Sequence, residues 1–159
     1  MVVAIDPAAT SKKNSDKSGI VVMGLGVDGY GYVLEDKSGL FTPQEWARVV
    51  IGLYDRHQAD RVVGEINNGG EMIEAVLRNA APNISYKSVH ATRGKALRAE
   101  PIVSLYEQGK VHHVGVLSEL EEEMTGWAPD LGLPSPDRMD ALVWAATDLM
   151  VNQKNIFFM

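Results

Sequence analysis

The fold is decided by the opening of the chain, which reads VVAIDP at residues 2–7 and GIVVMGLGVDGYGYVLED at residues 19–36. The first run is short and apolar and ends at a proline, which cannot donate a backbone hydrogen bond, so it predicts a buried strand. Asp28-Gly29 separates two further apolar runs and is typical of a β-hairpin turn. The opening therefore predicts three strands, at least two of them antiparallel, with a polar loop at residues 8–17.

Helices alternate with strands over the remainder of the chain. Thr42, Pro43 and Glu45 predict a capped helix start, and apolar residues with helical spacing follow it. The other predicted elements are strands at 61–66, 84–91 and 111–116, helices at 71–81 and 93–108 (kinked or restarted at Pro101), a helix capped by Ser118 and Glu121, and a last helix from Ser135. This order predicts an α/β fold: a mixed central sheet with antiparallel opening strands, later parallel strands, and helices on both faces. It matches the ribonuclease-H-like architecture.

Composition excludes several classes of protein. The chain has 159 residues, 45% of them hydrophobic, and no cysteine. That length corresponds to one domain with a full core, and no apolar run reaches the roughly 18 residues of a membrane span, so we expect no membrane association. The absence of cysteine excludes disulfides and cysteine-bound zinc, and serine-hydrolase and P-loop motifs are missing. The net charge of −6 indicates that any contact with nucleic acid is local.

Three acidic residues stand where the local pattern favours other residue types. Asp6 ends the first strand, Glu65 interrupts the fourth, and Asp140 lies at the edge of the apolar stripe of the last helix, three residues after Asp137. In isolation each has a simpler explanation, as a turn residue, an outward-facing strand residue or an acid near a helix N-terminus. In the predicted topology the first and fourth strands are neighbours and the last helix crosses them, so the acids would converge. Clustered carboxylates repel one another unless cations neutralise them, and their hard oxygens favour two Mg²⁺ or Mn²⁺ ions, which promote phosphodiester hydrolysis.

Basic residues form two local groups. The candidates for contacts with DNA phosphates are Lys12 and Lys13 in the first group and Arg93, Lys95 and Arg98 in the second. Either group alone is explained as a solvated surface, but beside an acidic metal cleft both become candidates for contacts to the DNA backbone.

Four segments, in order along the chain, resemble the large terminase subunits of tailed bacteriophages. They read AIDPA at residues 4–8, GEINNGGEM at 64–72, RGKALRAEP at 93–101 with LYEQG at 105–109, and SPDRMDALVWA at 135–145. The resemblance implies the C-terminal nuclease domain of a large terminase, which cuts concatemeric viral DNA during packaging. It also implies that Asp6, Glu65 and Asp140 are the metal-binding catalytic acids and that Asp137 is an auxiliary ligand.

The same resemblance implies a domain organisation and a set of partners. It places the nuclease domain at residues 1–151 and a tail at 152–159, with the packaging ATPase domain absent from this chain. The expected partners are double-stranded DNA, the ATPase domain, the small terminase subunit and the portal, at a packaging motor in the host cytoplasm. Two alternatives stay open: a junction resolvase or RNA–DNA hybrid nuclease of the same fold, and a non-catalytic docking module that uses Phe157 and Phe158.

Overall fold

A computed structural model of the protein describes residues 1–7, 17–65, 70–90, 95–127 and 137–152, with the backbone alone at 70–71 and 95–97. Several predictions fall outside these described residues. They are the loop at residues 8–16 with Lys12 and Lys13, the position of Arg93, the start of the last helix at Ser135, and the tail with Phe157 and Phe158.

In the described part of the chain, six strands form one mixed sheet. They are β1 Val2–Asp6, β2 Gly19–Leu25, β3 Gly31–Asp36, β4 Arg61–Glu65, β5 Tyr86–Val89 and β6 Val111–His113. Their order across the sheet is β5-β4-β1-β2-β3-β6. The pairs β1–β2 and β2–β3 are antiparallel, whereas β4 is parallel to β1 and β5, and β6 is parallel to β3. The predicted mixed sheet, with the first and fourth strands as neighbours, is confirmed.

Helices cover both faces of the sheet, as the sequence predicts. They are α1 Pro43–Arg56, α2 Gly70–Ala80, α3 Lys95–Glu107, α4 Ser118–Gly126 and α5 Asp137–Ala146, followed by a π-helical turn at Thr147–Val151. Alternate residues of β1 divide between two cores: Val3 packs with residues of α1 and α2, whereas Val2 packs with residues of α3, α4 and α5. None of the described helices has the length and apolar character needed to span a bilayer.

The last helix is buried almost all round. The predicted apolar stripe is buried, and so are Ala141, Trp144 and Ala145 outside it, because α5 lies between the sheet and the apolar residues of α3 and α4. Its far end is fixed by Asp148 in the π-helical turn, whose fully buried carboxylate accepts from Arg61 Nε at 2.8 Å and Lys87 Nζ at 2.9 Å. The sheet therefore holds α5 by an ion-pair network as well as by apolar packing.

The hairpin between β2 and β3 confirms the predicted turn. Gly26 N–H donates to the Tyr30 carbonyl at 2.8 Å, and Tyr30 N–H donates to Asp28 Oδ1 at 3.0 Å. Gly29 has a φ of +85°, which glycine adopts without a steric penalty. Val27 at the tip is fully exposed. The tip lies at the end of β2 that is remote from its pairing with Asp6.

Two helix predictions are wrong in detail. Of the two alternatives at Pro101, a kink or a restart, the restart is wrong: α3 runs through Pro101, because Ala99, Ile102 and Leu105 are buried in the core and this packing outweighs one lost backbone hydrogen bond. Helix α4 has Leu117 as its N-cap residue and makes no side-chain cap.

The carboxylate predicted for the second capping box has other partners. Glu121 Oε2 accepts from Leu117 N–H at 2.8 Å and lies 3.2 Å from His113 Nδ1. The other ring nitrogen of His113 lies 2.7 Å from the Tyr106 hydroxyl. Burial, and then the Glu121 charge, raises the pKa of the Tyr106 hydroxyl. This cluster connects α3, β6 and α4.

Candidate active site

Asp6 and Glu65 stand at the carboxyl ends of two neighbouring strands. β1 and β4 pair in parallel with Ala4 opposite Val63, and continuing that register by two residues brings Asp6 level with Glu65 on strands about 4.8 Å apart. Side chains alternate along a strand, so Asp6 shares the face of Ala4 and Glu65 that of Val63. Ala4 and Val63 both lie in the core beneath α5. Both acids are therefore on the α5 side of the sheet.

Helix α5 passes over this edge of the sheet without an intervening layer of side chains. Gly19 pairs with Asp6, and a Cβ at Gly19 would overlap the carbonyl oxygen of Asp137 and lie 3.2 Å from the Ala141 Cβ. Only glycine permits this approach. Asp137 and Asp140 lie in the same first turn of α5. The fold thus brings all four predicted acids to one edge of the sheet.

Arg98 of α3 lies beside Glu65. Its Nη1 is 3.5 Å from Glu65 Oε1, and its guanidinium carbon is 4.7 Å from the ring centroid of Trp144, a cation–π contact. The side chains of Arg98 and Glu65 are only 15% and 9% exposed. Arg98, which the sequence suggests for DNA phosphates, therefore faces a predicted metal ligand, and a phosphate contact stays a prediction.

Arg138 fixes the first turn of α5 to two other elements. It is 5% exposed; its Nε donates to Asp36 Oδ2 of β3 at 2.9 Å, its Nη1 donates to Glu123 Oε1 of α4 at 2.8 Å, and its Nη2 contacts Glu119. Burial alone lowers the pKa of this guanidinium, but the hydrogen bond to Glu123 and the charges of Asp36, Glu123 and Glu119 outweigh burial and raise it. Arg138 is therefore a permanent cation that anchors the turn carrying the acids.

The donor chemistry of this edge fits a hard divalent cation. Asp6, Glu65, Asp137 and Asp140 come from three elements and offer carboxylate oxygens alone, the ligands that Mg²⁺ and Mn²⁺ prefer. Within the described residues, no group of three acidic or histidine side chains is arranged to hold an ion as the structure stands. The residue types and their placement fit the group, and full coordination requires the side chains to move.

For the other predicted DNA contacts the structure describes at most the backbone. Lys95 begins α3, so its backbone stands about one helical turn before Arg98. Lys12, Lys13 and Arg93 lie outside the described residues. Among the described residues, the second basic group is thus connected with the carboxylate edge through Arg98.

Sequence reasoning missed two residues of this site, Arg138 and Trp144. A signal for Arg138 existed, because an arginine within an apolar helix pattern needs acidic partners if it is buried. Trp144 follows Asp140 by four residues, so both lie on one face of α5. Nothing in the sequence, however, indicates that Arg98 stacks on this indole.

Comparison with known proteins gives a family and a fold. The model of the terminase RNase H-like domain matches residues 3–149. The large terminase nuclease from thermophilic phage G20c has a TM-score of 0.66 at 18% identity, over 93% of this chain and 81% of that chain. The yeast mitochondrial Holliday junction resolvase Ydc2 has a TM-score of 0.59 at 12% identity, over 99% and 80%. No curated protein matches this chain.

The family match carries more weight than the two structures, whose low identities indicate a shared fold alone. It extends over β1, β4 and α5, the elements that place Asp6, Glu65 and Asp140 at one edge of the sheet. Two observations agree with the family match: the fold is shared with a solved terminase nuclease, and Asp6 and Glu65 stand at the ends of β1 and β4. The resemblance noted in four sequence segments is thereby confirmed, and the chain belongs to the family of terminase RNase H-like nuclease domains.

Proposed function

We propose that this domain is a divalent-metal-dependent endonuclease that cleaves concatemeric double-stranded DNA as part of a viral packaging terminase. The observation that carries the proposal is the placement of Asp6 and Glu65 side by side at the ends of β1 and β4, beneath the turn of α5 that bears Asp137 and Asp140. Four carboxylates at one sheet edge need cationic neutralisation. A cationic cluster there would also attract a phosphodiester.

Each acid has a role in this mechanism. Asp6, Glu65 and Asp140 would hold two Mg²⁺ or Mn²⁺ ions, with Asp137 as a weaker or water-mediated ligand. Such ions, when bound, supply water activation and stabilise charge on the leaving oxygen in phosphodiester hydrolysis. β1 and β4 hold Asp6 and Glu65 on a rigid sheet, and Arg138 holds the turn of α5 against it. The protein thus orders its ligands in advance, which lowers the entropic cost of assembling the site.

Contact with DNA would be made by Lys12, Lys13, Arg93, Lys95 and Arg98. These side chains would bind backbone phosphates, so cleavage should be largely independent of sequence and binding should weaken steeply with salt. We also propose that residues 1–151 form the nuclease unit, with 152–159 as a tail. In the motor it would work with the ATPase domain, the small subunit and the portal, in the host cytoplasm.

Nicking of supercoiled plasmid tests the proposal. We expect nicking with Mg²⁺ or Mn²⁺, none with EDTA, and a loss of at least about a hundredfold in Asp140→Asn and Glu65→Gln, since metal ions contribute several kcal/mol to transition-state stabilisation. Glu74→Gln is the matched control, because Glu74 is an exposed acid that pairs with Arg78 on α2. Nicking that survives in both site variants would contradict the assignment.

The substrate is tested by parallel reactions. The fold shared with a junction resolvase makes a four-way junction and an RNA–DNA hybrid the natural comparisons with linear duplex. Faster cleavage of either would assign the same carboxylate site to that substrate. Absence of cleavage of every substrate at low salt, together with absence of Mn²⁺ binding, would leave the domain as a docking module for the motor.

A further inference from the structure

We propose that Arg98 is a resident counter-ion of the carboxylate site, which offsets the charge of Glu65 in the metal-free protein and must give way when a divalent ion binds. The inference rests on the proposed metal site, and it makes Arg98 a residue that lowers the affinity of that site for divalent ions. It also gives Arg98 a role distinct from that of a surface phosphate contact.

Burial requires Glu65 to have a cation close by. The Glu65 side chain is 9% exposed, it is directed to the side of the sheet that α5 covers, and Asp6 stands on the neighbouring strand. Two carboxylates at this spacing destabilise each other's charged form. Arg98 Nη1, 3.5 Å from Glu65 Oε1, supplies positive charge beside this carboxylate.

The contact is too weak for a permanent structural pair. A structural arginine–carboxylate pair is commonly bidentate, with two hydrogen bonds shorter than 3 Å, and Arg138 provides an example of short contacts in this protein. Arg98 makes a single contact of 3.5 Å with Glu65. The Arg98 guanidinium also lies over the face of Trp144, a contact that does not involve Glu65.

Arg98 also stands close to the other predicted ligands. Trp144 follows Asp140 by one helical turn on the same face of α5, so a guanidinium over Trp144 is about one turn, or roughly 5 Å, along the helix from Asp140. A divalent ion held by Glu65 would take the place of the guanidinium as the cation beside that carboxylate and would repel the guanidinium. The two cations therefore compete, and Arg98 lowers the affinity of the site for metal.

Mn²⁺ binding to the complete chain, followed by electron paramagnetic resonance, tests the competition. We expect Arg98→Met to bind Mn²⁺ about fivefold more tightly than the wild type, because a single long ion-pair contact is weak and corresponds to about a fivefold change in an equilibrium. Arg98→Lys retains the charge and should stay within about twofold of the wild type. Arg78→Met is the control for net charge, because Arg78 pairs with Glu74 on the exposed surface of α2.

A second readout is the shift in the unfolding temperature between EDTA and saturating Mn²⁺. Arg98→Met should unfold at a lower temperature in EDTA, where Glu65 loses the positive charge of Arg98, and should show a larger upward shift in that temperature on adding Mn²⁺. If Arg98→Met does not fold, Arg98→Gln removes the same charge with a polar side chain.

The outcomes separate this inference from the proposed function. Equal or weaker Mn²⁺ binding by the charge-removing variant, with clear binding by the wild type, would overturn the competition and leave the metal site intact. Equal gains in Arg98→Met and Arg78→Met would show a general effect of net charge and would also overturn it. If neither wild type nor Arg98→Met binds Mn²⁺, the proposed metal site fails and this inference fails with it.

Discussion

Replacing Arg138 by methionine should destabilise the domain and loosen the turn of α5 that bears Asp137 and Asp140. Methionine retains much of the apolar stem of arginine but removes the guanidinium. That group makes three ion pairs, to Asp36 at the end of β3 and to two glutamates of α4. The variant therefore tests whether this cation anchors the acidic turn to the sheet.

The expected loss of stability depends on how exposed the partners of Arg138 are, and Asp36 and Glu119 are the two extremes. Asp36 is only 8% exposed, so the variant would leave it as a buried charge without its arginine. Removing one partner of a buried ion pair typically costs about 3–5 kcal/mol. Ser38 N–H and Oγ donate to the other oxygen of Asp36 at 3.0 and 2.6 Å and moderate this cost. Glu119 is 71% exposed and adds little. We expect a loss of about 3 kcal/mol in the free energy of unfolding.

Urea denaturation at pH 7 measures this loss, with Glu119→Gln as the matched control. The control removes the exposed partner and should cost less than about 0.5 kcal/mol. A double-mutant cycle with Asp36→Asn isolates the buried pair. A loss below about 1 kcal/mol in Arg138→Met, or equal losses in Arg138→Met and Glu119→Gln, would refute the anchoring role.

Four further variants test other features of the fold. Gly19→Ala should lower the free energy of unfolding by about 1–3 kcal/mol and reduce plasmid nicking, since its Cβ would displace the turn of α5. Gly52→Ala is the control: its Cβ would lie in open space on α1 and should stabilise the domain by up to about 1 kcal/mol. Thr42→Ala removes a confirmed capping box and should cost about 1 kcal/mol in urea without altering nicking. The hydrogen bond from Leu117 N–H, and then that from His113, lowers the pKa of Glu121 below its ordinary 4.5. Its stabilisation is therefore present above pH 4.5 and lost as pH falls through the lowered pKa, so Glu121→Gln should narrow the difference between urea midpoints at pH 7 and pH 3.

Features set by local chemistry could be predicted from the sequence. Thr42, Pro43 and Glu45 determine the start of α1 through neighbouring backbone groups, and the capping box forms as predicted. Ser118 and Glu121 show the same spacing, but the Glu121 carboxylate binds Leu117 N–H and lies beside His113. The partner of a side chain is thus predictable only where no distant residue competes for it.

The candidate site likewise has one part that could be predicted from the sequence and one part that could not. The proximity of Asp6 and Glu65 could be predicted because it follows from strand order, which apolar periodicity and turn residues determine. The environments of Arg98 and Arg138 could not be predicted, because their partners lie 33 and 102 residues away in the chain. Pattern reasoning therefore predicted the acids of the candidate site but missed the positions of Arg98 beside Glu65 and of Arg138 beside Asp36.

The hairpin tip gives the domain a natural point of attachment. Leu25 stands six residues along β2 from Gly19, the partner of Asp6, which is about 20 Å at the rise of an extended strand. The chain contains no cysteine, so Val27→Cys would introduce a sole thiol at the exposed tip. Molecules immobilised through that thiol would share one orientation, with the carboxylate edge facing away from the support. Single cleavage events on a stretched DNA molecule could then be recorded.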